Sequence, residues 1–501
     1  MSRSVERVVV VGRDVAAWLS ALALARTFSA AGVRVTVLEQ PSLLKPRIDA
    51  WIATPDGAAL NALLGLDEDL LLQTCATTYP LGQRFSNWSK SRPAFIHAYD
   101  GHGVALNKVE FIDYWLKARE GGLTVALEDF SLGAVAAKQG RHIVHSEELQ
   151  NYSHAAHGYH FDALAYALVL RHRALKAGVE HRSGTVTGIR REGERILAVA
   201  TKDGEIEGDL FIDATGPEAA LMREMPGDSL TPWRDMFLCD RVLSATGRAL
   251  SPLPAFAEIT AFGAGWAGLH PLQDRTAVVA AFSSAHGEDE ALAGQAAAAV
   301  GMALDGDVFV APLNPGARRR PWIGNCVAVG ESAAVFEPLD GAPHRGLQVA
   351  LAHLIALFPV DADNLQEATI YNTDVPNWTD NIRDFQLAHY LLNDRRGEPF
   401  WDKAAAAPAP APLRYKIDLF ARTGIPAIYD HESFQEENWI SSFIGHGLIP
   451  AAYNPLVDGV DPQDQMDNFQ RMLRFIASEV GDMPSLESHI ELHAPMRGAR
   501  F

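Results

Sequence analysis

Four consecutive valines, Val8–Val11, make the first strand-length apolar run of the chain, and an Ala- and Leu-rich stretch from Val15 to Ala31 follows without Gly or Pro. Gly32 then releases the chain into a second strand candidate, Val33 to Leu38, which Glu39 ends. Strand, helix and strand in this order predict a parallel pair covered by its crossover, and therefore an α/β fold. Further along, Gly184 to Ile189, Ile196 to Thr201 and Ile206 to Ile212 are short β-rich runs parted by charged or Gly-containing turns, which predicts a meander beside the parallel sheet. Asp213 terminates the last of them. Cys326 to Val329 is one more strand candidate, and Gly330 with the Ala-containing segment behind it predicts a second strand-to-helix crossing. Beyond Pro359 the pattern lengthens into mostly helical stretches carrying aromatics. The alternating prolines of AAAAPAPAP, Ala404 to Pro412, exclude a continued helix and predict an extended surface connection. No repeat of solenoid length occurs.

Composition narrows the class without changing the fold. The 501 residues, 48% apolar and 21% charged, are those of an ordinary globular protein of two or three units or one large composite. Forty-three Lys and Arg against 62 Asp and Glu leave a formal charge of −19, which disfavours nucleic acid and anionic membrane surfaces as partners. Cys75, Cys239 and Cys326 have no CxxC spacing and read as buried thiols in a reducing compartment. Arg3 and Arg7 precede the valines, but Arg13 and Asp14 interrupt the run long before the roughly 18 apolar residues that span a bilayer. The expectation is a cytoplasmic protein with no membrane partner.

Candidate chemistry begins at the first strand-to-helix turn. A GxGxxG spacing falls on Gly12, Asp14 and Ala17, so the tight-turn glycine is present but the glycine that admits a pyrophosphate is replaced by a carboxylate. Asp14 reads equally well as a helix N-cap. Glu39, 22 residues after Ala17, matches the acidic residue that binds a ribose hydroxyl. His154, His157 and His160 recur at spacing three in an irregular, Gly-containing stretch with no completing ligand, so no metal site is expected. Neither GxSxG nor a Walker A motif occurs. Trp378, Phe400, Trp401 and Trp439 read either as cavity lining or, more ordinarily, as core.

Taken together, VVVVGRDVAAW, LLGLDEDLL, YPLGQRFSNW, FIDYWLKARE, YHFDA, GDLFIDATG, WIGNCVAVGESAAVFEPLDG and ENWISSFIGHGLIP resemble the flavin-dependent tryptophan halogenases, from the first strand to the C-terminus. The resemblance implies an α/β, FAD-binding GR2-like (Rossmann-type) monooxygenase/halogenase fold with a mostly helical substrate module. It places a box-shaped FAD module over 1–360, with 75–150 contributing to the substrate side, and a helical lid over 361–501. In that family a separate reductase supplies reduced FAD, which reacts with oxygen; chloride attacks the peroxyflavin, and hypochlorous acid travels through a tunnel to a lysine and a glutamate beside an aromatic substrate. The implied cofactor is FAD. The implied partners are a flavin reductase and an aromatic small molecule, with an intact homologue or a second copy as further candidates.

Carried over residue by residue, the resemblance also shows losses. The family lysine of a KLGxxFxxW-like segment falls on Pro80, which has neither an ammonium nor an amide hydrogen. The family glutamate of EPLE falls on Asp340, and Ala342 and Pro343 replace the halide donors that follow it. His344 and Arg345, new at this point, read as anion ligands or as solvated residues at a helix start. The WxWxIP stretch keeps only Trp266 and Pro271, with Gly268 and His270 between them. Trp51, after Pro46, Arg47 and Ile48, stands where the family has small residues beside the isoalloxazine. Gly12, Glu39, Arg47, Asp213, Gly216, Gly330 and Glu331 match positions near the cofactor, whereas Asp14 and Trp51 weigh against tight binding.

Three readings follow. The first is a flavoprotein oxidoreductase or monooxygenase acting on an indole-like compound without lysine-dependent chlorination. The second is a pseudoenzyme or binding partner that has lost the FAD and halide sites. The third is a halogenase that recruits another residue, for which Lys45, Lys90 and Lys108 are available.

Overall fold

The Val8–Val11 run lies at the centre of a six-stranded sheet ordered 322–323, 326–328, 210–214, 7–12, 34–39, 180–183 in the computed structural model, which describes residues 3–41, 49–106, 108–144 and 155–494. We label Arg7–Gly12 β1, Asp14–Phe28 α1 and Arg34–Glu39 β2. β1 pairs in parallel with β2, Val8 opposite Val35, and with Leu210–Ala214, Val11 opposite Asp213. Its valines are at most 1% exposed because α1 and other chain segments cover both faces. α1 is buried along Val15 to Ala25, apart from its partly exposed Ala16, as its apolar composition requires. Gly32 ends the crossover at φ +86°, a conformation that favours glycine.

Parallel pairing brings Gly12, Glu39, Asp213 and Gly330 to one edge of this sheet, where open α/β folds bind ligands. Gly12 has a structural reason of its own. A Cβ there would lie 2.2 Å from the Ala214 carbonyl oxygen.

A seven-stranded sheet, ordered 305–312, 241–248, 275–282, 265–271, 257–262, 82–86, 95–98, stands beside the first. Its last two strands carry Gln83, Phe85 and His97. From Ala342 onward the described chain is mainly helical, including Ala342–Ala356, Glu367–Leu391, Pro399–Ala405, Ala411–Thr423, Glu436–Gly445, Pro462–Asp482 and Leu486–His493. These helices share an aromatic core with the seven-stranded sheet. Phe400, Trp401 and Trp439 are fully buried in it, whereas Trp378 is partly exposed between the rings of His353 and His431.

Four local expectations change. The run 206–212 is two strands, Gly204–Glu207 in a meander and Leu210–Ala214 in the parallel sheet, because Asp209 between them accepts the amides of Glu6 and Arg7 and pairs with Arg3. The run 184–189 is mostly connection, between Glu180–Ser183 and Gly188–Glu192. After Cys326–Ala328 the chain makes a 3-10 turn and a two-residue strand, and the next helix starts only at Ala342. The proline-rich connection is confined to 406–410, with helices on either side. All three cysteines are free and buried. No helix among the described residues is long and apolar enough to cross a membrane.

Candidate functional site

At the carboxyl edge of the parallel strands lies a groove of about 410 Å³. One end is lined by Arg13, Asp14, Gly216, Glu218, Gly330 and Glu331, the other by Trp51, Phe336, Pro338 and Pro343. Gly216 and Gly330 are left-handed, at φ +85° and +57°, and a Cβ on Gly330 would stand 3.4 Å from that of Ala16. These two turns keep the floor open.

Asp213 holds them from inside. Fully buried, its carboxylate accepts Thr215 N and Oγ1 and the amides of Leu221 and Met222 at 2.6–3.0 Å, with Ser332 Oγ at 3.1 Å. That same hydroxyl lies 2.9 Å from the Gly216 carbonyl. Asp213 therefore acts on the groove through its turns and does not line it.

Glu39 is likewise engaged: Oε1 accepts from Trp18 Nε1 at 3.1 Å, and Oε2 meets His181 Nε2 at 2.8 Å. Of the seven cofactor candidates, Gly216, Gly330 and Glu331 line the groove, Gly12, Glu39 and Asp213 support it, and Arg47 lies outside the described residues.

Asp14 adopts φ +58°, a conformation that the absent glycine would take freely. It is the first residue of the helix and Arg13 holds the N-cap position, so the N-cap reading does not describe it. Its carboxylate is about half exposed at the groove mouth. Even so, desolvation by the surrounding protein raises the carboxyl above the usual range; Arg13, 3.7 Å away, opposes the shift, and Glu39 and Glu331 add to it. Trp51 at the other end donates Nε1 to His344 Nδ1 at 2.9 Å. The groove fits an elongated, partly flat cofactor in shape, its left-handed glycines leaving room, while the carboxylates beside the α1 N-terminus oppose phosphates at one end. Arg13 is the one Lys or Arg among its described lining residues.

Beyond the Trp51 end the chain makes the turn Glu337–Pro338–Leu339–Asp340, with Asp340 and Gly341 both left-handed at φ +57° and +64°. Gln386 Nε2 clamps this strained turn by donating to the carbonyls of Glu337 and Leu339 at 3.0 and 2.8 Å. Glu337 is buried and accepts from Trp266 Nε1 at 2.9 Å and from the Tyr390 hydroxyl. Burial pushes its carboxyl up to about 7, against those hydrogen bonds and with help from Asp340.

Asp340 is 2% exposed. Oδ1 accepts from Gln83 Nε2 at 3.2 Å, while Oδ2 lies 3.3 Å from His389 Nε2, misaligned for a hydrogen bond and with no other partner. The far nitrogen of that ring, Nδ1, is 2.8 Å from His446 Nε2. Phe85 stacks on His389 at 4.5 Å and 15°. Close by, both ring nitrogens of His97 and the Tyr99 hydroxyl are buried without partners. Burial drives His97 down to about 4, Asp340 resisting, and raises Tyr99. Buried polar atoms without a protein partner thus gather in this one region.

Pro80 is buried near this region: its carbonyl accepts the Gly158 amide at 2.8 Å, and a Cβ on Gly158 would meet the Tyr99 ring at 2.9 Å. Lys90 is turned away to Glu398 and the Arg396 carbonyl, Lys108 is exposed, and Lys45 lies outside the described residues. His344 and Arg345 are buried rather than solvated, because the start of their helix packs beneath residues 51–57. Arg345 pairs with Asp56 at 2.7 Å and bonds Thr54 and the Ser433 carbonyl. His157 bonds Glu68 and His160 faces Thr78, while His154 is outside the described residues; no metal-holding group occurs among those described.

His389, His446, Gln83 and Glu337 were not legible as site residues. His446 does lie in the ENWISSFIGHGLIP segment, but nothing in its spacing pairs it with a histidine 57 positions earlier.

A family model described as tryptophan halogenase matches residues 7–462. Tryptophan 7-halogenase RebH of Lentzea aerocolonigenes is 26% identical over 91% of this chain and 92% of its own, and tryptophan 6-halogenase ThaL of Streptomyces albogriseolus is 27% identical over the same shares. Among solved structures, BrvH, a flavin-dependent halogenase from Brevundimonas sp. BAL3, superposes with a TM-score of 0.91 at 29% identity, covering 98% of this chain and 99% of that one. A flavin-dependent halogenase from Xanthomonas campestris reaches 0.93 at 26% identity, covering 99% and 100%. With its parallel-sheet groove and its buried EPLD turn, this chain belongs to the tryptophan halogenase family.

Proposed function

We propose that the protein is an FAD-dependent oxidoreductase that acts on an aromatic, indole-like compound without lysine-dependent chlorination. The observation that carries the reading is the pairing of a buried, histidine-backed Asp340 with Pro80 at the lysine position. FAD would be held by the Gly216 and Gly330 turns, Glu331 and the Trp51 end of the groove. The chemistry such a bound FAD would supply, after reduction by a separate reductase, is electron delivery to dioxygen. The chain's own residues do the rest. Asp340 would accept the proton that an aromatic ring sheds on substitution, and the unpartnered polar atoms of His97 and Tyr99 would orient a polar edge. Phe85 and Phe385, fully or almost fully buried, form apolar surfaces beside them and exclude water.

Without an ammonium near Asp340 among the described residues, and with Pro343 lacking an amide hydrogen, halide delivery is left without a carrier there. A second reading, a binding module that no longer uses the cofactor, draws on Asp14 at the α1 N-terminus and on the engaged Glu39. One experiment separates them. FAD titration into the purified protein, followed by reductase-supported oxygen uptake with an indole panel and mass analysis of products, gives micromolar binding, about −8 kcal/mol, and oxygenated product under the first reading. No binding at high FAD selects the second, and chlorinated product overturns both.

A further inference from the structure

The last described helix, Leu486–His493, is fastened to the body by a seam of imidazoles. His489 stacks face to face on His142, with ring centroids 3.6 Å apart and planes at 20°. The buried Tyr79 ring stands 5.2 Å from His142, 4.5 Å from His157 and 5.9 Å from His489. His493 follows one turn after His489, its ring 4.5 Å away. The backbone joins at the same place: the Leu486 amide donates to the Gly140 carbonyl at 2.9 Å, and the His142 amide to that of Pro484 at 3.0 Å. Leu486 and Ile490 bury the apolar side of the contact. The helix therefore closes over Tyr79, the neighbour of Pro80.

Such a seam suits neutral rings. Two imidazoles stacked this closely repel once both are charged, and His142 Nδ1 is buried without the acceptor that a proton there would need. Around the pair, among the described residues, stand His157, His493, Tyr79 and Tyr159, the carboxylates of Glu68 and Asp69, and Arg141, which donates to the Met483 carbonyl. Glu68 spends Oε1 on His157 Nε2 at 2.9 Å and the Tyr159 hydroxyl at 2.6 Å. On the helix itself Glu487 accepts the Leu253 amide and Glu491 is exposed. Burial drives His142 down to about 3, with His489, His157 and His493 adding to it and Glu68 resisting. His489 is lowered as well, by burial and then by His493 and His157, against Glu68 and Asp69.

We propose that this helix is an acid-releasable strap, docked on Tyr79 while His142 and His489 are neutral and let go as they take up protons. Once released, both imidazoles return to the ordinary value near about 6.5, so opening binds protons. Docking is at full strength above about pH 6.5 and weakens as pH falls toward about 3. Release uncovers Tyr79, at the head of the stretch that carries Pro80 and, at Gln83, the side-chain amide bonded to Asp340. The strap does not depend on the flavin reading.

The test is amide hydrogen exchange of the full chain at about pH 7.5 and about pH 5.5, each rate divided by the intrinsic rate at that pH so that it reports the opening equilibrium. His142 alone should raise opening about tenfold between these two values, and His489 should carry the rise further. The amides of His142 and Leu486, which bond across the seam, should open together with the helix. His142→Phe/His489→Phe keeps two stacked rings without a proton site and should cut the rise by at least about tenfold. Should that pair not fold, His489→Phe, at the more exposed of the two rings, should cut it in part. Equal opening at both pH values, an undiminished rise in the variants, or opening confined to Leu492 and His493 would overturn the strap.

Discussion

Asp14→Gly isolates the residue at which the groove most directly opposes a dinucleotide. The backbone already sits at φ +58°, so glycine enters without rearrangement, and the relief of strain is offset by glycine's greater unfolded-state freedom. The change should therefore act on binding far more than on folding. A carboxylate about 6 Å from one phosphate, at an effective dielectric constant of about 20, opposes it by roughly 3 kcal/mol. Half exposure and the Arg13 guanidinium 3.7 Å away screen this to roughly 1–2 kcal/mol, a gain of about 5- to 30-fold in FAD affinity on its removal. Because the Asp14 carboxyl is raised, acidification neutralises it early: FAD binding by the parent protein should tighten as pH falls, whereas the glycine variant should show a flatter profile. Quenching of flavin fluorescence at fixed ionic strength measures both. If Asp14→Gly and Asp14→Asn bind FAD no more tightly than the parent, the electrostatic account of the turn is wrong.

Other substitutions probe the support. Asp213→Ala should cost about 3–5 kcal/mol in denaturant unfolding, since it strands several buried donors, and Asp213→Asn less; a loss under about 1 kcal/mol would contradict the hub described here. Gly330→Val places a β-branched residue at φ +57° beside Ala16, and should abolish FAD binding while costing about 1–2 kcal/mol in stability; retained binding in the same titration would show that FAD does not use this turn. Glu337 stays protonated in the fold up to about pH 7, whereas an unfolded Glu ionises from about 4.5. Its contribution is complete below about pH 4.5 and fades as pH climbs to about 7, by roughly 3 kcal/mol. Glu337→Gln should remove that slope, and parallel slopes for parent and variant in unfolding measured at pH 5 and pH 8 would count against it.

The β1–α1–β2 unit was legible because its signals are local: four valines, a helix without breakers, and a glycine where the backbone turns left-handed. The division of 206–212 was not, since Asp209 ends one strand by bonding amides about 200 positions away. Glu39 stands where the spacing put it, but its partner His181 lies 142 positions off and belongs to a strand that becomes a neighbour only when the sheet assembles. Pro80 and Asp340 could be singled out only through the family motifs, and the fold adds that both are buried. The two histidines behind Asp340 could not, because a single His in a helical stretch reads as core until the fold sets it against another.

The internal clamp on the Gly216 and Gly330 turns has a kinetic consequence. Because Asp213 and Ser332 fix those turns from beneath, the described cleft walls are preorganised before anything arrives. A ligand entering there forfeits little backbone disorder, so capture should follow single-phase kinetics with a rate proportional to ligand concentration and no slow closing step behind it.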